Sequence, residues 1–243
     1  MFPSSELTEA AIGTDDIYTF GNGIRVYRRL LLDGQVKRYR AATNPNLHEP
    51  VEEGWLTRLI GEAPEECVFA DVGAGIGYYS ILAQKLKPNA HIFAVEPLPA
   101  HIESCAQNFA LNDAHGIALR GVAIAAQAGT VKFEDHRFGS RIAQPGDKNL
   151  LQVEAVTLDS FLETIGTPVS VMKMDIQGEE LNVLQSARTA LAAGRILSIV
   201  VGTHSDQLHD GVLELIRACG GTVLFEDKHP EHQPDGIVVA RFA

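Results

Sequence analysis

From Cys67 onward the chain alternates short apolar runs with segments whose apolar residues recur every three or four positions. CVFADVG, HIFAVEP (His91 to Pro97), Ile117 to Ala125, PVSVMKMD and RILSIVVGTH have strand length and are rich in Val, Ile and Phe. Between them lie helical patterns. Tyr78 to Leu86 places Ile81, Leu82 and Leu86 on one face, and Pro99 to Leu111 does the same with Ile102, Ala106 and Phe109. Glu179 to Ala193 carries Leu181, Leu184, Ala187 and Leu191 at helical spacing, and Leu208 to Cys219 is a further helix. An extended piece, GTVKFEDH, follows Ala128. GTVLFED and GIVVARF close the chain as strands. Their connector, KHPEHQPD, is too short for a crossover helix, so this pair is expected to be antiparallel. The order predicts repeated βαβ units: an α/β fold with a mainly parallel sheet covered by helices on both faces.

The first part of the chain has a different pattern. Ile17 to Arg40 reads as a small β meander, with IYTF and IRVYRR joined through the turn signal Asn22-Gly23, and QVKRYR following Asp33-Gly34. The stretch up to Pro50 holds two prolines and breaks regular structure, and a helix from Val51 to Ile60 follows, with Trp55, Leu56, Leu59 and Ile60 inward. The expected division is an N-terminal meander or cap, residues 1–48, and an α/β domain, residues 49–243.

Charge narrows the partners. The formal net charge is −11, which repels nucleic acid unless basic residues gather in one patch. Arg25, Arg28, Arg29, Lys37, Arg38 and Arg40 form one such run, against a single acid, Asp33. It reads either as a solvated hairpin face or as a site for an anionic substrate or acidic partner. No apolar run reaches the ~18 residues of a membrane span, and MFPSSELTEAAIG lacks the pattern of a secretory signal. Cys67, Cys105 and Cys219 show neither paired nor metal-ligand spacing, which suits a reduced, cytoplasmic protein.

The chemistry is concentrated at Asp71-Val72-Gly73-Ala74-Gly75-Ile76-Gly77-Tyr78, where a buried strand runs into a helix. Glycines there permit a tight turn and close approach of a ligand, and open α/β sheets bind ligands at the carboxyl ends of their strands. The spacing is G-x-G-x-G, where dinucleotide sites use G-x-G-x-x-G. Tyr78 stands at the third dinucleotide glycine, and Asp71 would repel a diphosphate. A zwitterionic methionine tail and a sulfonium meet neither obstacle, so S-adenosylmethionine is the expected cofactor. Glu96, followed by Pro97, ends the second strand, where an acid can accept both ribose hydroxyls.

DVGAGIGYYSILAQKL, AVEPLPAHIESCAQNFALN, VTLDSF and KMDIQGEELNVLQSA together resemble the successive motifs of the FkbM family of methyltransferases, over roughly Glu49 to Ser205. The family pattern D-V-G-A-N-I-G has Asn where this chain has Gly75. Its K-I-D-V-E-G-A-E is matched at Lys173, Asp175, Gly178 and Glu180, with Gln177 in place of an acid and Glu179 in place of a small residue. The resemblance implies a class I (Rossmann-like) methyltransferase fold, with a seven-stranded sheet and an antiparallel C-terminal strand. It also implies O-methylation of a hydroxyl on a small molecule, sugar or lipid-linked acceptor.

Asp71, Gly73, Gly75, Gly77, Tyr78, Glu96, Pro97 and Asp175 are the expected cofactor contacts. Asp175, Lys173 and His204 are the catalytic candidates. Asp175 ends the fourth strand and also suits an N-cap, and Lys173 points to the same side and could pair with it. The family often carries E-x-H where this chain has Gly202-Thr203-His204, and a histidine can accept a hydroxyl proton at neutral pH. His48 and Glu49 are weaker pocket candidates. No metal site is assigned, although Asp175, Glu179 and Glu180 leave metal assistance open. The competing readings are an NAD-dependent oxidoreductase, opposed by the glycine spacing, and a non-catalytic adenosyl-cofactor-binding protein. A nucleic-acid methyltransferase is opposed by the acidity and by the lack of an N-P-P-[YF] motif. A homodimer stays open.

Overall fold

A computed structural model describes residues 16–134, 141–142 and 150–242. It opens with a hairpin, β1 (Ile17–Thr19) against β2 (Arg25–Tyr27). After a 3-10 turn at Arg28–Leu30, the expected third strand is instead a helix, α1 (Asp33–Tyr39). The reason is local. The Leu32 N–H donates to Gln35 Oε1 (2.8 Å), which satisfies a donor at the helix start, and Val36 and Tyr39, three residues apart, both turn inward. The basic run is largely committed to local ties: Arg28 to Asp33, Arg29 to Gln107, and Arg25 to the Leu111 carbonyl. Residues 1–13, which lack the pattern of a secretory signal, lie outside the described residues.

Then come α2 (Pro50–Glu62), β3 (Val68–Val72), α3 (Tyr78–Leu86), β4 (His91–Val95), α4 (Pro99–Leu111) and β5 (Ala118–Arg120). The strand expected over Ile117–Ala125 is broken at Gly121. Its second half, β6 (Ala123–Ile124), leaves for another sheet with β7 (Gly129–Glu134), β8 (Arg141–Ile142) and β9 (Leu150–Val156), in the order β6-β9-β7-β8. Asp135 and His136, the end of the piece GTVKFEDH, lie outside the described residues. The chain continues through α5 (Leu158–Ile165), β10 (Val171–Met174), α6 (Glu180–Ser186), α7 (Arg188–Ala192), β11 (Ser198–Thr203), α8 (Asp206–Ala218), β12 (Thr222–Asp227) and β13 (Gly236–Arg241). The single helix expected over Glu179–Ala193 is two, divided at Ala187, where the Ser186 hydroxyl donates to the Val183 carbonyl (2.7 Å) and competes with the helical ladder.

The main sheet has seven strands in the order β12-β13-β11-β10-β3-β4-β5. Only β13 runs against its neighbours, as the short connector before it requires. Alternate residues feed two cores. Val68, Ala70, Val72, Met172, Met174, Ile199 and Val201 face one core with α5 to α8. Phe69, Val171 and Val200 face the other, which is continuous with α2, α3, α4 and the N-terminal segment. The same alternation sends Asp71 and Lys173, partners in register across β3 and β10, to this second face. Among the described residues, no helix is long and apolar enough to cross a membrane.

Candidate active site

The loop from β3 to α3 is held at three points. The Gly73 and Ala74 N–H groups both donate to the Val95 carbonyl (3.0 Å). Gly73 has φ +80°, and a Cβ there would lie 1.8 Å from the Asp175 carbonyl oxygen, so the ends of β3 and β10 touch backbone to backbone. The Gly75 N–H donates to Glu96 Oε2 (2.9 Å), and the Leu98 N–H donates to Glu96 Oε1 (3.0 Å). Glu96 is only 4% exposed. Two backbone donors, from the loops on either side, therefore fix its carboxylate.

A cavity of about 920 Å³, its open mouth included, lies over these strand ends. Of the residues expected at the cofactor, Gly73, Gly75, Tyr78, Glu96, Pro97 and Asp175 line it, with Lys173. Asp71 and Gly77 do not. Asp71 has no exposed surface; Ser80 Oγ donates to it (2.7 Å), and burial raises its pKa against the pull of Lys173. It supports the start of α3 from beneath. Gly77 begins α3 packed on Phe109. Tyr78 borders the cavity, but its hydroxyl donates to Glu53 Oε2 (2.6 Å) and accepts from Asn22 Nδ2 (2.8 Å), tying α3 to the N-terminal hairpin. Ile124 and Phe133, from the sheet the sequence reading missed, form part of an apolar wall with Val122 and Leu98.

This lining suits S-adenosylmethionine. Carboxylates at Glu96, Asp175 and Glu179 outnumber the one lysine, which a diphosphate would find repulsive and a cationic sulfonium favourable. Glu96 would take the ribose hydroxyls, the apolar wall the adenine, and the Gly73–Gly75 backbone the methionine end. Glu96→Ala is expected to weaken cofactor binding about 10-fold to 100-fold by calorimetry, because a charged acceptor is lost. An unchanged dissociation constant would show that Glu96 does not hold the ribose.

Beside the cavity, Lys173, Asp175 and His204 form a chain. Lys173 Nζ donates to Asp175 Oδ2 (3.3 Å) and to the Gly73 carbonyl (3.3 Å). His204 Nε2 meets Asp175 Oδ1 (3.0 Å), and Gln177 Nε2 donates to the same oxygen (3.0 Å). Burial would raise the Asp175 pKa, but Lys173 and His204 outweigh it and hold the carboxyl well below the usual range. Burial would likewise lower Lys173, yet Asp175 and the acids Glu52, Asp71 and Glu49 keep it an ammonium.

His204, the candidate base, is surrounded by carboxylates. Its Nδ1 faces Asp235 (2.8 Å), and its Nε2 faces both Asp175 (3.0 Å) and Glu180 (3.3 Å). Burial opposes the charge, but hydrogen bonds to these carboxylates push the pKa up to about 12. An imidazolium has no lone pair for a hydroxyl proton. His204 is also absent from the cavity lining. Glu180, fully buried, accepts from the Ile176 N–H (2.7 Å) and the Gly178 N–H (3.1 Å), locking the turn after β10. Asp235 comes from the β12–β13 connector. No spacing in the sequence pointed to it.

Under the cavity, α2 contributes a buried acidic layer. Tyr79 donates to Glu49 (3.3 Å), and burial pushes Glu52 well above the carboxylate range despite Lys173. His48 lines the cavity and contacts the Tyr39 hydroxyl through Nδ1 (2.6 Å); burial, assisted by Arg38, lowers its pKa to about 4. The unfolded chain takes a proton at this histidine below pH ~6.5, and the folded protein does so only near pH 4. Its stabilising contribution is therefore complete above pH ~6.5 and is lost as pH falls towards 4. Wild type should lose about 3 kcal/mol relative to His48→Gln over that window, read by urea unfolding at each pH. A pH-independent difference would show that His48 is not held neutral.

Residues 71–222 match the family model described as the methyltransferase FkbM domain. Hexuronic acid methyltransferase AglP of Haloferax volcanii is 27% identical over 174 residues, 65% of this chain and 69% of that protein. Methyltransferase sdnD of Sordaria araneosa is 33% identical over 100 residues, 40% of this chain and 39% of that protein. Among solved structures, the SAM-dependent methyltransferase from Agrobacterium tumefaciens aligns with 97% of this chain and 72% of its own, at TM-score 0.51 and 12% identity. An rRNA methylase from Streptococcus thermophilus aligns with 79% of this chain and 93% of its own, at TM-score 0.51 and 10% identity. These likenesses show the fold: a class I (Rossmann-like) methyltransferase sheet, with one reversed strand near its edge.

Proposed function

Because this chain belongs to the methyltransferase FkbM family and is an S-adenosylmethionine-dependent methyltransferase, we propose that it methylates a hydroxyl oxygen of a sugar or sugar-like acceptor, free or lipid-linked. The observation that carries the reading is the ionised Asp175 carboxylate on the cavity wall, braced from both sides by Lys173 and His204. S-adenosylmethionine, when bound, supplies an electrophilic methyl group on a sulfonium. Asp175 accepts the hydrogen bond of the incoming hydroxyl and aims its oxygen. Lys173 keeps Asp175 charged and in place. Orientation of this kind can supply ~7–11 kcal/mol of the barrier. The sugar class is supported by the name of AglP, a hexuronic acid methyltransferase. A cytoplasmic setting accords with the buried free thiols of Cys67, Cys105 and Cys219.

The protein should bind S-adenosylhomocysteine with micromolar affinity and show no measurable binding of NAD by calorimetry. Incubation with S-adenosylmethionine and a panel of hexoses and hexuronic acids should give a product heavier by one methyl group that survives mild alkali, as an ether does. An alkali-labile product would identify a carboxylate acceptor and overturn the hydroxyl reading.

A further inference from the structure

Asp175, Glu180 and His204 each offer one donor atom, and the three atoms lie within 4.8 Å of one another. His204 Nε2 stands 3.0 Å from Asp175 Oδ1 and 3.3 Å from Glu180 Oε1. An octahedral divalent ion with ligands at about 2.1 Å sets neighbouring donors roughly 3 Å apart. The two separations from His204 Nε2 are thus those of neighbouring donors on one octahedral ion. We propose that Asp175, Glu180 and His204 are the protein ligands of a divalent cation of the Mn²⁺ or Mg²⁺ type, at the rim of the methyl-transfer cavity.

Each donor is also supported from behind in the way metal ligands are. The Nδ1–H of His204 points to Asp235 (2.8 Å), the carboxylate–histidine arrangement that leaves Nε2 for a metal. Glu180 is held by the Ile176 and Gly178 N–H groups, with its Oε1 turned to His204 Nε2 (3.3 Å). Asp175 is fixed by Lys173 and Gln177. Three carboxylates, from Asp175, Glu180 and Asp235, converge on His204, an anionic surrounding that favours a divalent cation. The carboxylate-rich set, with a single imidazole, suits Mn²⁺ and Mg²⁺ better than the softer metals. Asp175 follows β10, Glu180 opens α6 and His204 follows β11, so two neighbouring strand ends of the sheet build the site.

The use of this cation rests on the methyl-transfer reading above; its existence does not. Asp175 belongs both to the donor set and to the cavity wall. A divalent ion held there would polarise an acceptor hydroxyl that reached it, with Asp175, Glu180 and His204 as its protein ligands.

The test is a Mn²⁺ titration of chelator-stripped full-length protein, followed by electron paramagnetic resonance, with S-adenosylhomocysteine binding measured in parallel. The expected result is one Mn²⁺ per chain. His204→Ala should weaken it at least 100-fold, and Asp235→Asn, which loosens the imidazole without removing it, about 10-fold to 100-fold. His204→Asn, more conservative in polarity, guards against a misfolded alanine variant, and S-adenosylhomocysteine affinity reports whether the cofactor domain is intact. No Mn²⁺ bound at millimolar concentration by protein that still binds S-adenosylhomocysteine overturns the site, as does wild-type Mn²⁺ affinity in both His204 variants. Mn²⁺ bound by wild-type protein that does not bind S-adenosylhomocysteine, and lost in both His204 variants, upholds the cation site and counts against its use in methyl transfer.

Discussion

Gly73→Ala is expected to cost about 3 kcal/mol or more of stability and to abolish measurable cofactor binding. Two effects add. The backbone at Gly73 has φ +80°, a region that costs an L-residue roughly 1–3 kcal/mol. The new methyl group would also meet the Asp175 carbonyl at 1.8 Å, a contact that only a shift of β10 or of the loop can relieve. Either shift moves Asp175 or the backbone that would hold the methionine end. Gly75→Asn provides the contrast. Gly75 has φ +58°, the left-handed conformation that Asn tolerates best among non-glycine residues, and no atom lies within 4 Å of an added Cβ. The Asn that the family usually carries here is thus explained by conformation. Gly75→Asn should change stability by less than ~1 kcal/mol and cofactor affinity only a few-fold. Thermal denaturation and calorimetry read both variants. Equal damage at the two glycines would show that the contact between β3 and β10 is not what constrains Gly73.

The main sheet was legible because its strands are buried on both faces and so appear as unbroken apolar runs. Helices α3 and α4 kept the bounds their apolar spacing suggested. Where the reading failed, shorter-range forces decided. QVKRYR looks like a strand if its basic residues are set aside, but Val36 and Tyr39 have helical spacing and Gln35 supplies the cap. The second sheet was missed, although β9 alternates as Val153 and Ala155 inward against Gln152 and Glu154 outward. Helix α5 was missed too, although Thr157 caps it through Ser160 N–H and Gly166 stops it at φ +78°.

The site was legible in a similar, partial way. Glycine spacing and strand ends located the loop, Glu96 and Asp175, since those positions follow from chain order. Depth did not follow from chain order. Asp71 sits one residue before the end of β3 with its side chain turned into the packed layer, so it braces the loop from below. The partners of His204 come from Asp175, Glu180 and Asp235, spread over 61 residues of chain. Only the fold brings them to one imidazole, so the carboxylates that surround this histidine could not be read from chain order.

Asp175→Ala should lower stability by about 3–5 kcal/mol and turnover by at least 1,000-fold. Lys173 is 3% exposed, and its closest carboxylate partner is Asp175, so removal leaves an ammonium buried beside more distant acids. His204 loses one of its three carboxylates in the same step. The turnover loss has a separate origin: the hydroxyl of the acceptor no longer has a charged oxygen to aim it. Asp175→Asn divides the two. The amide fills the same space, so its stability loss should be about half that of the alanine variant or less. Its NH₂ group, however, must face either Lys173 or His204, donor against donor. Turnover should therefore fall nearly as far as in Asp175→Ala, while S-adenosylhomocysteine affinity stays within about 10-fold of wild type in both. Chemical denaturation, calorimetry and single-turnover methyl transfer give the three quantities independently. An Asn variant that keeps wild-type turnover would show that Asp175 acts only in holding Lys173 and the turn, and the group that aims the hydroxyl would have to be sought elsewhere along the cavity wall.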